Sequence, residues 1–211
     1  MTARAEPQRF ASVDVSDHAA RLGMWVFLAS ELLFFGAFFV LYASLRAEHA
    51  AGFAEGVRHA DDAIGAINTV VLLTGSYFVA SALRASRAQQ CRSAAIRLAI
   101  TAALAIVFLA FKTLEYVHHL RDGMIPGGGT SFFGAHPTPG LESYVALYWI
   151  TTAAHALHVL VGALVIGALA IGTWRGRLRA HPIALGGLYW HLVDVIWLFV
   201  WPLFYLLRGA G

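Results

Sequence analysis

A carboxylate and an imidazole stand three residues apart in Tyr189-Trp190-His191-Leu192-Val193-Asp194-Val195-Ile196-Trp197-Leu198-Phe199, inside a run otherwise apolar as far as Leu207. On a helix, His191 and Asp194 share a face and can touch. Trp190, Asp194, Trp197 and Trp201, spaced by four, three and four, form one stripe. An ionised Asp at the centre of a membrane helix costs roughly 2.5–3.5 kcal/mol on insertion scales. Asp194 must therefore be protonated, paired, or turned toward protein or water.

Three further constellations carry possible chemistry. Glu31 sits in the middle of an apolar, aromatic-rich segment, with Phe27, Phe34, Phe35 and Phe38 on or beside its face. Desolvation there penalises its charged form. It is either a proton-carrying carboxyl in a water path or a neutral hydrogen-bond donor to a neighbouring helix. Lys112 and Glu115, three apart, can pair with each other near one end of their segment; a local ion pair or a snorkelling lysine is the simplest account. His118 and His119 follow and read as interfacial. His155 and His158 can face one direction, but a closed metal site needs three or four ligands, and haem needs axial histidines on facing helices. His191 would be the third nitrogen. Amid Thr151, Thr152, Ala153, Ala154, Ala156, Gly162 and Ala163, these histidines read better as interhelical hydrogen-bond donors. Gly127-Gly128-Gly129 is followed by no Lys-Ser/Thr pair, so it reads as surface loop and not as a phosphate cradle.

The elements that position these residues are membrane helices. Of the 211 residues 59% are hydrophobic and 13% charged, where a soluble domain carries about a quarter charged. Five apolar segments approach the length of about 20 residues that a crossing needs. They are Leu22–Leu41, Ala63–Leu83, about Ala94–Leu120, about Leu141–Trp174 and Ile183–Leu207. Pro202 lacks the amide that would bond the Leu198 carbonyl, so a late kink is expected. The fold expected is an all-α integral membrane protein, a bundle of five transmembrane helices. Residues 1–20 form a polar N-terminal tail without a signal peptide's apolar core, and 21–211 form the single membrane domain. The lone Cys91 allows neither an intrachain disulfide nor a thiolate cluster.

Charge sets the orientation. Arg4, Arg9, Arg21, Arg84, Arg87, Arg92, Arg97, Arg175, Arg177 and Arg179 fall on one side; Arg46, Arg58, Arg121 and Arg208 fall on the other. The positive-inside rule puts the N-terminus in the cytoplasm and the C-terminus outside. The net charge of +3 is modest, and no nucleic-acid partner is expected.

Three blocks together resemble one known family. Leu22-Gly23-Met24-Trp25-Val26-Phe27-Leu28-Ala29-Ser30-Glu31-Leu32-Leu33-Phe34-Phe35 resembles the first retained helix of subunit III of haem–copper oxidases. Ala154-His155-Ala156-Leu157-His158-Val159 resembles its His-x-x-His-Val segment, and Tyr189–Phe199 its last helix. Lys112-Thr113-Leu114-Glu115-Tyr116 and Asn68-Thr69 fit as well. Leu192 stands where Phe is usual, and Ala156 where Gly is usual. The resemblance covers about residues 21–207 and is to the five-helix bacterial form.

That resemblance implies an accessory subunit of a proton-pumping terminal oxidase, with no catalytic centre, no metal ligand and no cofactor in this chain. Haem and copper are expected in partner subunits. The implied contacts are subunit I above all, then subunit II, other oxidase subunits and bound phospholipid, in a bacterial cytoplasmic membrane. Glu31 maps onto the family's intramembrane carboxylate. Lys112, Glu115, His155, His158, His191 and Asp194 fall at buried polar positions assigned to structure. Rival readings are an accessory subunit of a nitric oxide reductase or quinol oxidase complex, an independent b-type membrane cytochrome, and a proton-coupled carrier.

Overall fold

The computed structural model describes residues 6–127, 131–177 and 180–207, with side chains from Val15 onward. Arg4, Gly128, Gly129, Arg179 and Arg208 lie outside the described residues, and Arg9 contributes backbone only. The described chain is helical: α1 (Glu6–Glu48), α2 (Ala50–Arg58), α3 (Asp62–Arg87), α4 (Cys91–Arg121), α5 (Ser131–Ala135), α6 (Leu141–Trp174) and α7 (Ala180–Trp201). Five of them are long and apolar enough to cross a membrane: α1 from Val15, α3, α4, α6, and α7 with its continuation to Leu206. In hydrocarbon a helix alone satisfies every backbone amide within its own segment, so long apolar runs take this form.

Local signals explain the boundaries. Asp61 caps α3, its carboxylate accepting from the amides of Ala63 and Ile64 at 3.0 and 3.1 Å. Ala88–Gln90 join α3 to α4, with Gln89 in the left-handed region at φ 60°. At Pro202 the α-helix gives way to a wider π-type turn, Pro202–Leu206, closed by the Leu207 amide on the Pro202 carbonyl at 3.1 Å. The missing proline amide accounts for the change.

Two connections are more ordered than their composition suggests. The segment expected to be a plain surface loop, 121–140, contains α5 and buries Met124 and Phe132. Trp149 donates from Nε1 to the Met124 carbonyl at 2.9 Å, tying that segment to α6. The first connection holds α2, whose Phe53 and Val57 are buried, Phe53 between the rings of Tyr42 and Tyr144. At its other end α1 begins at Glu6, so the polar N-terminal stretch continues the helix.

Helices α3, α4, α6 and α7 share one core, around Leu72, Val79, Phe108, Val159, Trp190 and Trp197. The Trp190 indole lies between Gly75 of α3 and Gly162 of α6; a β-carbon on either glycine would come within 3.1–3.3 Å of the ring. Small residues at these two positions let three helix backbones close around one tryptophan. Helix α1 lies along α6 and α7 and is much less enclosed: 11% of its most apolar stretch is buried, against 56% for α7. Trp25, Leu33 and Val40 point outward from it.

The arginine-rich helix ends gather at one end of the bundle. His181 at the start of α7 lies 3.3 Å from Asp17 near the start of α1. Arg92 at the start of α4 sits over the Trp174 ring at the end of α6.

Candidate functional site

The intramembrane polar residues sort into three groups. The tightest is centred on Lys112 of α4. Its ammonium donates to Glu115 Oε2 at 3.2 Å, Tyr148 Oη at 2.9 Å and Tyr205 Oη at 2.7 Å. Tyr148 and Tyr205 in turn each donate to Glu115 Oε1 at 2.6 Å. An ammonium has three donors, and here all three are used. Both carboxylate oxygens are engaged as well. The rings of Tyr116, Tyr148, Tyr205 and Trp197 surround the charge at 4.6–5.9 Å from Nζ to centroid, within cation–π range.

Lys112 is 1% exposed and Glu115 2%. Of the two accounts expected, the local Lys112–Glu115 pair is the one that forms, and its burial corrects the alternative of a lysine snorkelling to the interface. The side chain points into the bundle because α6 and the C-terminal turn supply two hydroxyls that complete its coordination there. His119, expected at the interface, is also buried, with Nε2 3.7 Å from Glu115 Oε1. The cluster joins α4, α6, α7 and the turn after Pro202.

The second group pairs α1 with α6. Glu31 Oε2 lies 2.8 Å from His158 Nε2, and His158 Nδ1 lies 2.7 Å from the Ala154 carbonyl. A carbonyl only accepts, so Nδ1 carries a hydrogen. Then either a neutral Glu31 donates to a bare Nε2, or an imidazolium donates to a carboxylate. Both arrangements hold one proton between the same two atoms. The side chains are 17% and 18% exposed, so this pair is open at its edge where the Lys112 cluster is sealed. Phe34 and Phe35 flank the imidazole.

The third group is divided. His191 Nδ1 lies 2.6 Å from Ser76 Oγ of α3. Ser76 also lies beside Asp194, but neither carboxylate oxygen of Asp194 has a hydrogen-bond partner among the described residues. The expected His191–Asp194 contact is replaced by this bond to Ser76, because α3 presents a hydroxyl to that side of α7. Trp197 of the same stripe donates to Thr69 Oγ1 at 3.0 Å, and Thr69 donates back to the Gly65 carbonyl.

His155 is fully buried, and neither ring nitrogen has a partner among the described residues. It packs against Phe35, Phe108 and Trp197. The expected hydrogen-bond donor to another helix is thus a packing residue here. Phe35 packs against both His155 and His158, but among the described residues the nitrogens of His155, His158 and His191 do not converge on one point.

Tyr148 and Tyr205, which complete the Lys112 cluster, are absent from the sequence-derived candidates. Tyr148 had a usable signal: it lies seven residues, two helical turns, before His155 on the same stripe of α6. Tyr205 had none, since its direction depends on the turn that follows Pro202.

Comparison with known proteins bears on the whole chain. The family model described as "Cytochrome c oxidase subunit III" matches residues 11–208. A "Cytochrome c oxidase subunit 3" of Thermostichus vulcanus is 31% identical over 193 residues, covering 88% of this chain and 86% of that protein. Another, from Alkalihalophilus pseudofirmus, is 32% identical, covering 90% of this chain and 87% of that protein. A "Heme-copper oxidase subunit I+III" of Aeropyrum pernix is 32% identical over 88% of this chain, which spans only 22% of that longer protein.

Proposed function

This chain belongs to the cytochrome c oxidase subunit III family, and from that membership we propose that it is the accessory, non-catalytic third subunit of a respiratory haem–copper terminal oxidase. The observation that carries the reading is a match running from α1 to the C-terminal turn, with Glu31, Lys112, Glu115, His158 and Asp194 all facing the inside of the bundle or a helix partner. Subunit III works within a complex of oxidase subunits. The main contact is subunit I. A relative in which subunits I and III form one protein supports that contact, since fusion keeps the two polypeptides side by side. The exposed apolar face of α1, with Trp25, Leu33 and Val40, is the surface for it. A "Probable quinol oxidase subunit 3" of Staphylococcus haemolyticus, 26% identical over 89% of this chain, extends the reading to complexes named for another electron donor. The donor then docks on other subunits.

The membrane is the bacterial cytoplasmic membrane, with the arginine-rich end inside. Haem and copper belong to the partner subunits. Phospholipid occupies the furrow between α1, α6 and α7. A cleft of about 390 Å³ lined by Met24, Phe27, Val161, Val165, Leu185 and Tyr189 suits acyl chains. Next to it, a second cleft of about 350 Å³ is bordered by Asp17, Arg21, Trp25, Arg87 and His181; Asp17 pairs with His181, and the two arginines suit an anionic headgroup. Glu31 and His158 lie about one helical turn from Phe27 and Val161 of the first cleft and are partly exposed, and their shared proton exchanges from that side during proton uptake by the assembled enzyme.

The test is copurification in mild detergent. A haem-bearing subunit I accompanying the chain is the expected result, with tightly held phospholipid in the extract. A chain isolated alone that carries its own haem Soret band, or stoichiometric copper, overturns the reading.

A further inference from the structure

A cluster apart from all of these groups joins the two connections at the end of the bundle opposite the arginine-rich one. We propose that Glu55, His59 and His136 form a Zn²⁺ site there, holding α2 to the segment that precedes α6. One ligand atom from each of the three lies within 4.8 Å of the others. Two imidazoles and one carboxylate are a donor set suited to zinc, as in three-ligand sites that keep a fourth position for water.

The histidines are held in the right tautomer. His59 Nδ1 is 3.0 Å from the Glu55 carbonyl, and His136 Nδ1 is 3.0 Å from the Phe132 carbonyl. Each Nδ1 must carry the hydrogen, because each partner only accepts. Each Nε2 is therefore left as a lone pair. A backbone carbonyl behind a ligating imidazole is a common way of fixing ring orientation and raising basicity at metal sites. The buried Phe132 ring backs both imidazoles, at 5.1 Å from His59 and 4.7 Å from His136. The two imidazoles meet edge to face, at 4.9 Å and 86°, so they lie close together without stacking.

Glu55 also reaches the exposed Arg58, through Oε2 at 3.3 Å, which leaves Oε1 for a metal. Zinc bonds of about 2.0–2.1 Å in a tetrahedron require donors roughly 3.4 Å apart. Closing from 4.8 Å takes about an ångström of side-chain movement, which three half-buried residues allow. His136 also borders an open cleft of about 340 Å³ with Pro137, Glu142 and Ser143, giving the ion an entry path. Glu55 and His59 are four apart and share one face of α2, but His136 lies beyond the whole of α3 and α4, and no sequence spacing joins it to them. The alternative explanation of the cluster is aromatic packing around Phe132 alone.

The site does not depend on the subunit reading, and its test is separate. The full-length chain, with whatever subunits copurify, is stripped with chelator and titrated with Zn²⁺ alone against a chromophoric competitor. One equivalent is expected to be lost, or weakened roughly tenfold or more, in His136→Ala and in His59→Ala. Glu55→Gln keeps the shape, removes the charge, and is expected to weaken the same equivalent by roughly tenfold. Co²⁺ bound to the unaltered protein should show the visible bands of a four-coordinate site, and His136→Ala should not. Equal zinc binding by the unaltered protein, His136→Ala and Glu55→Gln would overturn the proposal and leave packing as the cluster's whole role.

Discussion

Glu115 and Glu31 are both glutamates inside the membrane span, and each faces a nitrogen base. Glu115 is enclosed by α4, α6, α7 and the C-terminal turn, and five hydrogen bonds link it, Lys112 and two tyrosines into a closed set. Among the described residues Glu31 has one partner on one neighbouring helix, at the edge where α1 lies against the bundle. The difference shows what enclosure does to the same chemistry. A sealed, fully bonded charge pair resists change and fixes helix positions. A half-open pair with one shared proton can exchange it with its surroundings at small structural cost.

Mutations at the two sites should separate accordingly. The largest effect is expected from Lys112→Met, which leaves the Glu115 charge buried and uncompensated. Removing one partner of a buried pair costs about 3–5 kcal/mol. Tryptophan-fluorescence melting of the detergent-solubilised complex should show a large drop in Tm, or no assembled complex at all. The double variant Lys112→Met with Glu115→Gln should be less damaged than Lys112→Met alone. If Lys112→Met melts like the unaltered protein, the sealed cluster is not holding the helices.

Next comes Gly162→Leu, which forces a side chain into the Trp190 ring from the α6 side. Overpacking of this kind costs typically 1–3 kcal/mol, read as a lower Tm in the same assay. An unchanged Tm would mean that α6 can move away from α7 freely, and the contrast between a rigid four-helix core and a loosely attached α1 would fail.

Glu31→Gln should be milder. The amide N–H can donate to His158 Nε2 in place of a neutral carboxyl, so stability should change by less than about 1 kcal/mol. Collapse of assembly would show instead that Glu31 is an anion paired with an imidazolium. Proton uptake by the complex is the sharper readout, and it should slow, because an amide carries no exchangeable acid proton. The smallest effect is expected from Leu33→Ala on the outer face of α1. With Leu33 77% exposed in this chain, its own stability should be unchanged. Weaker retention of subunit III by the complex would place that face at an interface.

Much of the architecture was legible from residue order. Five crossings follow from five apolar runs, because an unpaired backbone amide in hydrocarbon costs several kcal/mol and only a helix satisfies all of them locally. The break at Pro202 follows from one missing N–H. The segregation of arginines to one end follows from counting them. The polar positions were legible as a set, because a charge or imidazole in an apolar run stands out. Their partners were not. Glu31 and His158 lie on helices α1 and α6, and nothing in either helix's periodicity names the other.

Sequence by itself determined that this is a five-helix membrane protein, which family it resembles, and which residues must be accounted for inside the membrane. Tertiary structure decided what each of those residues is. It put the expected Lys112–Glu115 pair at the centre of a sealed cluster, by bringing Tyr148 and Tyr205 to the ammonium. His191 went to Ser76, and Asp194 was left without a hydrogen-bond partner among the described residues. Glu55, His59 and His136 came together from two connections that composition marks only as loops. The physical reason is the same in each case. Periodicity fixes which face of a helix a residue occupies, but hydrogen bonds and ligand sets form between faces. Which faces meet depends on the packing of small residues, such as Gly75 and Gly162 around Trp190, over the whole bundle.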